Sequence, residues 1–256
     1  MELGLAGKKI VLTGGTRGIG RAMAEAFVAE GAHIAFCARH EQQVAEAVQD
    51  IKNKGGAVYG AVLDISDHAA LRAWVDQAAA QLGGIDILIA NPSAFGVGTS
   101  MQDWKAGYDV DLMGTVHAVE AATPHLLTAA ERSGDAAILI LSSVAVAETD
   151  RDSAYGAYKA GLLHYTKGLA RRLAVNGVRV NAISPGTIYV EDGFWGNIKQ
   201  HMPELYTQFF NRNPMQRMGC PKEVAKAAVF LCSLAASFIT GANLVVDGGW
   251  SARVNY

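Results

Sequence analysis

Short apolar segments alternate along the chain with longer segments whose apolar residues recur at helical spacing. The short segments, rich in β-branched residues, lie at 9–13, 33–38, 57–63, 86–91, 136–141, 179–184 and 244–246. The helical segments lie between them, at 21–28, 42–54, 69–82, 103–132, 155–175 and 221–234. This alternation predicts a parallel β-sheet covered by helices on both faces. No internal repeat, low-complexity tract or linker interrupts it, so residues 1–256 are predicted to form one domain.

The composition narrows the class of protein. Half of the 256 residues are hydrophobic and 18% are charged, which is typical of a well-buried globular chain. The net charge of −2 argues against a nucleic-acid or membrane-surface binder. The longest apolar stretch, 136–147, is too short to span a bilayer, and the N-terminus resembles no secretory signal. We therefore expect no nucleic-acid or membrane partner.

The three cysteines, Cys37, Cys220 and Cys232, are widely spaced and have no C-x-x-C pattern or nearby histidine cluster. This spacing argues against a disulfide framework and against a metal site. A reducing, cytoplasmic location is the default expectation.

The first apolar segment ends in a run of glycines that precedes a helical segment. Glycines between a strand and a helix let the backbone approach a pyrophosphate, whose charge is stabilised at the helix N-terminus. An ordinary tight turn is the alternative. The candidate cofactor-binding residues here are Gly14, Thr16, Arg17, Gly18, Ile19 and Gly20.

A second candidate site opens the helical segment at 155. Tyr155 and Lys159 are four residues apart and share one helix face, whereas Tyr158 points about 100° away from Lys159. A neighbouring ammonium stabilises a phenolate and lowers the pKa of the phenol toward the range useful for acid/base catalysis. Such a pair arises easily by chance, so it carries weight only together with other motifs.

These motifs occur together in a known order. The chain has T-G-x-x-x-G-x-G at 13–20, a serine pair at 142–143, Y-x-x-x-K at 155–159 and P-G at 185–186. In this it resembles the short-chain dehydrogenases/reductases, including 3-oxoacyl-carrier-protein reductases and related ketoreductases, over essentially its whole length. The resemblance implies a Rossmann-like three-layer α/β/α sandwich with a seven-stranded parallel sheet. It also implies a homotetramer that uses the helices at 103–132 and 155–175.

The resemblance assigns catalytic roles to Tyr155 as general acid/base, Lys159 as its partner on the cofactor ribose, and Ser143 on the substrate oxygen. Because the segment from Ser143 to Tyr155 is one residue shorter than is common, Ser142 stays open for that last role. The fourth catalytic position, usually Asn, is Asp111. If Asp111 approaches Lys159, it weakens the effect of the ammonium on Tyr155, and an Asn there is expected to raise activity or shift the pH profile. Otherwise Asp111 faces away.

Further cofactor contacts follow from the same resemblance. It implies that Asp64 and Ile65 lie at the adenine, with a strand-end N-cap as the other interpretation of Asp64. Asn91 is retained where relatives have N-N-A-G, but Pro92 replaces the next residue and removes one backbone donor. The resemblance implies that the turn formed by Pro185, Gly186, Thr187 and Ile188 contacts the nicotinamide. A threonine often found in relatives four residues after the glycine is replaced here by Val190, and Thr187 could contact the amide instead.

Two arginines decide the expected cofactor. Where NAD-binding relatives carry an acid after the second strand, this chain has Ala38 and Arg39. Arg39, together with Arg17, can hold a 2′-phosphate that an acid would repel. The sequence therefore favours NADP(H), and NAD(H) is still possible. The alternative is that both arginines are ordinary surface residues without a role in binding.

The segment at 190–217 has no clean period, and such segments in compact domains are often lids or binding loops. In the resembled family it covers the substrate. Its aromatic residues indicate a substrate with an apolar or aromatic part, although packing in the core or against a subunit is an equal alternative. Its large apolar residues are Phe194, Trp195, Tyr206, Phe209, Phe210 and Met215.

The predicted function is hydride transfer between NADP(H) and a ketone or secondary alcohol. Two alternatives remain. One is an NAD-dependent secondary-alcohol dehydrogenase on the same fold. The other is a weakly active or non-catalytic nucleotide-binding regulator, which Pro92 and Asp111 motivate.

Overall fold

The computed structural model describes residues 2–148 and 152–253. Its centre is a seven-stranded sheet in the order β3-β2-β1-β4-β5-β6-β7, in which every strand pair is parallel. The strands are β1 Lys9–Thr13, β2 His33–Ala38, β3 Val58–Val62, β4 Ile87–Ala90, β5 Ala136–Leu141, β6 Val178–Pro185 and β7 Asn243–Val246. The predicted fold class is confirmed, because the layers and the strand number are those expected.

Helices cover both faces of this sheet. They are α1 Gly18–Ala29, α2 Glu41–Asn53, α3 His68–Leu82, α4 Met101–Ala106, α5 Gly114–Ser133, α6 Ala154–Leu173, α7 Phe194–His201, α8 Pro203–Arg212 and α9 Pro221–Cys232. Alternate strand residues enter opposite cores, as the two-residue period of a strand requires. In β1, Val11 faces the core under α3, α5 and α6, whereas Ile10 and Leu12 face the core under α1, α2 and α9.

The helix predicted at 103–132 is interrupted. Between α4 and α5 lies a π-helical segment, Gly107–Met113, which contains Asp111. The hydroxyl of Thr115 donates to the Asp111 carbonyl at 2.8 Å at the end of this segment. A π turn is not evident from a continuous helical pattern, because it changes the hydrogen-bond register without interrupting the run of helix-compatible residues.

The expectation of an irregular segment at 190–217 is wrong. This stretch holds two short helices, α7 of 8 residues and α8 of 10, separated at Met202 and with Pro203 beginning the second. Each helix spans only two or three turns, too short for a helical period to be evident over the whole stretch.

A reversal in the strand order brings several loops to one place. β1 pairs with β2 on one side and β4 on the other, so the carboxyl ends of β1, β4, β5 and β6 form a crevice beside the point where the order reverses. The motifs at 13–20, 91–95, 142–143 and 185–188 all lie at these strand ends. Within residues 2–148 and 152–253, no helix is long and apolar enough to cross a membrane.

Candidate active site

The glycine turn after β1 is tightly folded and braced from β4. Gly14 has a φ of +75°, which favours glycine, and a Cβ at Gly20 would collide with the Gly14 carbonyl oxygen. The Asn91 amide donates to that carbonyl at 3.0 Å, and the Asn91 backbone N–H donates to the Thr13 hydroxyl at 3.0 Å. Asn91 therefore fixes the shape of the turn.

The N-terminus of α1 is open toward the crevice. Arg17 occupies the N-cap position but makes no side-chain cap, and the first turn of α1 contains no acid. Gly18 has a φ of +54°, and the nearest atom to a Cβ built there is Cγ2 of Val190 at 3.8 Å. The N–H groups of a first helical turn need acceptors, and the open space beside Gly18 can hold one. This cradle fits a pyrophosphate, with Thr16, Ile19 and Gly20 beside it.

The carboxyl end of β2 is basic. Arg39 and Arg17 are both exposed. The pKa of Asp64 lies below its ordinary value, chiefly because the Ser66 backbone N–H donates to its carboxylate. The Ser66 hydroxyl and the charge of Arg39 lower this pKa further, whereas burial opposes the shift. The N-cap of α3 is Asp67, which accepts from Ala70 at 3.0 Å, so Asp64 does not cap that helix.

Ile65 follows Asp64 and turns its side chain into the protein. It is buried in the core under α3 and α5, where a Cβ at Gly114 would collide with it. Its side chain therefore supports the crevice wall from behind.

The two serines after β5 have different partners. Ser142 donates its hydroxyl to the Lys159 backbone carbonyl at 3.0 Å, behind the site. The Ser143 hydroxyl accepts from the Ala145 backbone N–H at 3.1 Å, and its side chain lies close enough to the Tyr155 phenol to lower the pKa of that phenol. Thus Ser143, and not Ser142, shares the crevice with the tyrosine.

Burial raises the pKa of Tyr155 to about 12, although the hydrogen bond from Ser143 lowers it, and the negative charge of Asp111 adds to the rise. The Lys159 ammonium lies 5.6 Å from the centroid of the Tyr155 ring. Tyr158 is turned away, with its ring 5.5 Å from that of Trp104. The shared face predicted for Tyr155 and Lys159 is present, but in this structure the ammonium does not bring the pKa of the phenol down.

The reason lies in the partners of Lys159, which is 2% exposed. Its ammonium donates to the carbonyls of Pro92 and Leu141, each at 3.0 Å, and forms an ion pair with Oδ1 of Asp111 at 3.2 Å. Burial lowers the pKa of Lys159, and Asp111 opposes that shift. An ammonium has three N–H donors. Two of them are accepted by these carbonyls, and Asp111 contributes an ion pair whose Oδ1 makes no hydrogen bond.

Asp111 is fully buried and faces this lysine, which decides between the two orientations left open by the sequence. Its other oxygen, Oδ2, accepts from the Ala94 backbone N–H at 2.9 Å. The π-helical segment therefore brings an acid to the centre of the site, where the loop after β4 and helix α6 meet.

The turn after β6 carries an unpartnered polar atom. Gly186 donates to the Val246 carbonyl at 2.9 Å, and Pro185 is the last residue of β6. The Thr187 hydroxyl is buried without a hydrogen-bond partner in the structure, and the residue is 4% exposed. Ile188 forms a parallel bridge with Gly219. A buried hydroxyl at this turn fits the carboxamide of a nicotinamide, because burying it unpaired is costly.

An aromatic side chain that the sequence motifs did not single out lies over the Tyr155 ring. Phe95 stacks on Tyr155 with ring centroids 5.9 Å apart and on Phe194 of α7 at 6.1 Å. Phe95 is 52% exposed and has a φ of +51°, which is unusual for a residue with a side chain. What could have indicated Phe95 in the sequence is its position in the loop that follows a central strand, four residues after Asn91.

The other aromatic residues of α7 and α8 mostly pack on one another. Trp195 contacts Phe209 at 4.9 Å, Phe209 stacks on Trp250 at 5.7 Å, and Tyr206 contacts Phe210 at 6.2 Å. These residues pack as the alternative to a substrate contact predicted, whereas Phe194 stacks on Phe95 beside Tyr155. Within the described part of the chain, no three His, Cys, Asp or Glu side chains are grouped as metal ligands.

Comparison with known proteins gives consistent matches over the whole chain. A family model described as enoyl-(acyl carrier protein) reductase matches residues 14–251. The isoepoxydon dehydrogenase of Penicillium expansum is 38% identical over 255 residues, covering 97% of this chain and 96% of that protein.

Solved structures agree. A mutant of a short-chain dehydrogenase/reductase from Serratia marcescens has a TM-score of 0.85 at 27% identity, and the match covers 96% of this chain and 99% of that one. The L-sorbose reductase of Gluconobacter frateurii, in complex with NADPH and L-sorbose, has a TM-score of 0.89 at 28% identity, with 99% of this chain and 100% of that one covered.

Proposed function

The chain belongs to the short-chain dehydrogenase/reductase family of alcohol and ketone oxidoreductases, and we propose that it transfers hydride between NADP(H) and a ketone or secondary alcohol. The observation that carries the proposal is the convergence of Ser143, Tyr155 and Lys159 beside an open helix N-terminus. Such a reaction needs a group that can exchange a proton and a site that can bind the anionic cofactor, and this crevice has both.

The residues of the crevice fit a dinucleotide along its length. The open N-terminus of α1 at Gly18 would hold the pyrophosphate, Asp64 the adenine, and the unpaired Thr187 hydroxyl with Ile188 the carboxamide. When bound, the nicotinamide supplies or accepts the hydride. Lys159 would hold the ribose hydroxyls, and two of its present acceptors are neutral carbonyls that a hydroxyl can replace.

In the direction of reduction, Tyr155 would donate its proton to the carbonyl oxygen, and Ser143 would donate a hydrogen bond to the same oxygen. A phenol with a raised pKa is fully protonated at neutral pH and is therefore ready as an acid. The phenolate that would accept a proton in alcohol oxidation is scarce at that pH, so oxidation depends on a change in the surroundings of Tyr155.

The preference for NADP(H) is supported by the basic end of β2. Arg39 and Arg17 are exposed there, and no acid follows β2 directly. The related L-sorbose reductase is described with NADPH. A bidentate guanidinium contact to a 2′-phosphate is favourable, and it is absent with NAD(H).

The substrate that fits this site has an apolar or aromatic part. Phe95 and Phe194, 52% and 40% exposed, continue the stack that begins at the Tyr155 ring, with 9° and 13° between successive planes. Flat, apolar atoms attached to the carbonyl would cover these faces. A homotetramer through α5 and α6 and a cytoplasmic location belong to the same proposal.

A panel of ketones with NADPH, followed by the loss of NADPH absorbance, tests the function. The panel should pair cyclic and aryl ketones with acyclic sugar ketones and acyl thioesters, and the reverse reaction should be run with each product alcohol. Turnover of the cyclic or aryl members is expected. If NADPH binds tightly and no member turns over, a nucleotide-binding regulator is favoured, consistent with the internally paired Lys159.

A further inference from the structure

The two oxygens of the Asp111 carboxylate have different neighbours: Oδ1 lies in an ion pair without a hydrogen bond, whereas Oδ2 accepts a hydrogen bond. Oδ1 faces the Lys159 ammonium at 3.2 Å, and Oδ2 accepts from the Ala94 backbone N–H at 2.9 Å. The residue has no exposed surface, so both contacts are shielded from bulk solvent. A carboxylate is suited to this place because one oxygen presents its negative charge to the ammonium and the other accepts from the Ala94 N–H.

An asparagine has one oxygen and one NH₂ group, so it cannot accept from both neighbours. Turned one way, its NH₂ faces the ammonium of Lys159, and turned the other way it faces the N–H of Ala94. Either orientation leaves a buried donor against a donor. Unpaired buried donors are destabilising, most of all when one is charged.

The loop that Asp111 holds also contacts the lysine directly. The Pro92 carbonyl accepts from the Lys159 ammonium at 3.0 Å, and Ala94 donates to Asp111. The next residue is Phe95, held at a φ of +51° with its backbone N–H donating to the Ser93 hydroxyl at 3.1 Å. Pro92 and Asp111, which separately depart from the family pattern, therefore belong to one hydrogen-bonded unit.

We propose that Asp111 is a positioning residue that locks the loop 92–95 to Lys159, and that this lock requires a carboxylate. The lock fixes the aromatic wall of Phe95 over Tyr155 and the position of the ammonium at the same time. Its role for substrate rests on the proposed function, whereas the lock itself is a property of the fold. It also reverses the expectation that an asparagine would raise activity.

A double-mutant cycle on folding stability tests the lock without any turnover. Asp111→Asn should lower Tm by at least about 6 °C, since it leaves the buried ammonium without its anion. Lys159→Met should also lower Tm, because it leaves the carboxylate without its cation. The double variant removes both charges and lets the Asn oxygen accept from Ala94, so it should be more stable than Asp111→Asn alone.

Asp109→Asn is the matched control. Asp109 lies in the same π-helical segment and loses the same charge, but its carboxylate pairs with Lys105 at the surface. It should change Tm by less than about 2 °C, as exposed ion pairs contribute little. A double variant no more stable than Asp111→Asn alone, or equal losses for Asp109→Asn and Asp111→Asn, would overturn the proposal.

A kinetic measurement separates the lock from simple destabilisation. At a temperature where Asp111→Asn stays folded, its kcat/KM for a ketone reduced by the parent enzyme should fall about tenfold or more, with KM rising because the Phe95 wall is released. Lys159 and Tyr155 are the titratable groups that the structure places around Asp111. Loss of its charge should therefore move the alkaline rise of alcohol oxidation to lower pH, while Asp109→Asn leaves it in place.

These readouts distinguish the two ways of failing. A stability cycle without coupling, in an enzyme that reduces ketones, would remove the lock and keep the function. Coupling in a protein that reduces none would keep the lock and remove the function.

Discussion

The two ends of the crevice differ in the burial and the pairing of their charged side chains. At the α1 end, Arg17 and Arg39 are exposed and the first helical turn has no acid or side-chain cap, so positive potential is left for an anion from solvent. At the α6 end, Lys159 and Asp111 are buried, and the lysine donors face protein acceptors. A charge meant for a ligand can stay unpaired at the surface, whereas a charge inside the protein needs partners in the cofactor-free state.

This contrast has a consequence for catalysis. Under the proposed function, the open end would receive a phosphate without rearrangement, whereas at the buried end a ribose hydroxyl would have to replace the Pro92 or Leu141 carbonyl at Lys159. Binding and acid/base tuning should therefore respond to different substitutions.

Tyr155→Phe removes the acid at the buried end and leaves the open end intact. Turnover should fall by at least about 10²-fold, and NADPH affinity should stay within a few fold. Steady-state rates and NADPH fluorescence titration measure the two. Tyr158→Phe is the control, because Tyr158 packs on Trp104 away from the crevice and should retain activity. Retained turnover in Tyr155→Phe would move the acid elsewhere.

Gly20→Ala damages the open end. The added Cβ collides with the Gly14 carbonyl oxygen, so we expect a loss of more than about 3 kcal/mol in the free energy of unfolding, together with loss of NADPH binding. Gly168→Ala in α6, where a Cβ meets nothing within 4 Å, should instead be neutral or stabilising by up to about 1 kcal/mol. Urea unfolding checks both, and equal effects would contradict the tight turn.

The pH dependence probes the buried end. The pKa of Tyr155 is raised to about 12, so the base form needed for alcohol oxidation is scarce at neutral pH. Oxidation should accelerate by about tenfold per pH unit between roughly pH 7 and 9, while reduction, which uses the protonated phenol, should not rise. Rate profiles with saturating cofactor measure both directions. A plateau in oxidation below about pH 8 would show that the bound cofactor restores the tuning by Lys159.

Arg39→Asp reverses the charge at the open end. NADPH affinity should fall by about tenfold or more, as one charged hydrogen bond is lost, while NADH affinity is kept or improved. Lys8→Asp, just before β1 at the opposite end of the sheet, is the charge-matched control and should change neither affinity. Unchanged NADPH affinity in Arg39→Asp would favour the NAD-dependent alternative.

The elements of the sheet were predictable from the sequence because continuous apolar strands and amphipathic helices are local patterns. The runs at 136–141 and 33–38 are the strands β5 and β2 with identical bounds. The π turn before α5 and the two short helices α7 and α8 were not predicted, because they do not produce a period of their own. Phe95 was missed for the same reason, since a single loop residue has no pattern.

The chemical groups available at the crevice, and the order in which they follow the strands, can be read from local segments of the chain. A glycine turn, a serine pair, a tyrosine four residues before a lysine and two arginines are legible without coordinates, because each motif lies within one short segment. The pairing of their charges, in contrast, depends on how distant segments fold together. Asp111, Ala94 and Lys159 belong to three separate segments, and their contacts arise only when the π turn and the loop after β4 close over α6. Protonation and tuning depend on such contacts between distant segments, because burial and neighbouring charges set a pKa.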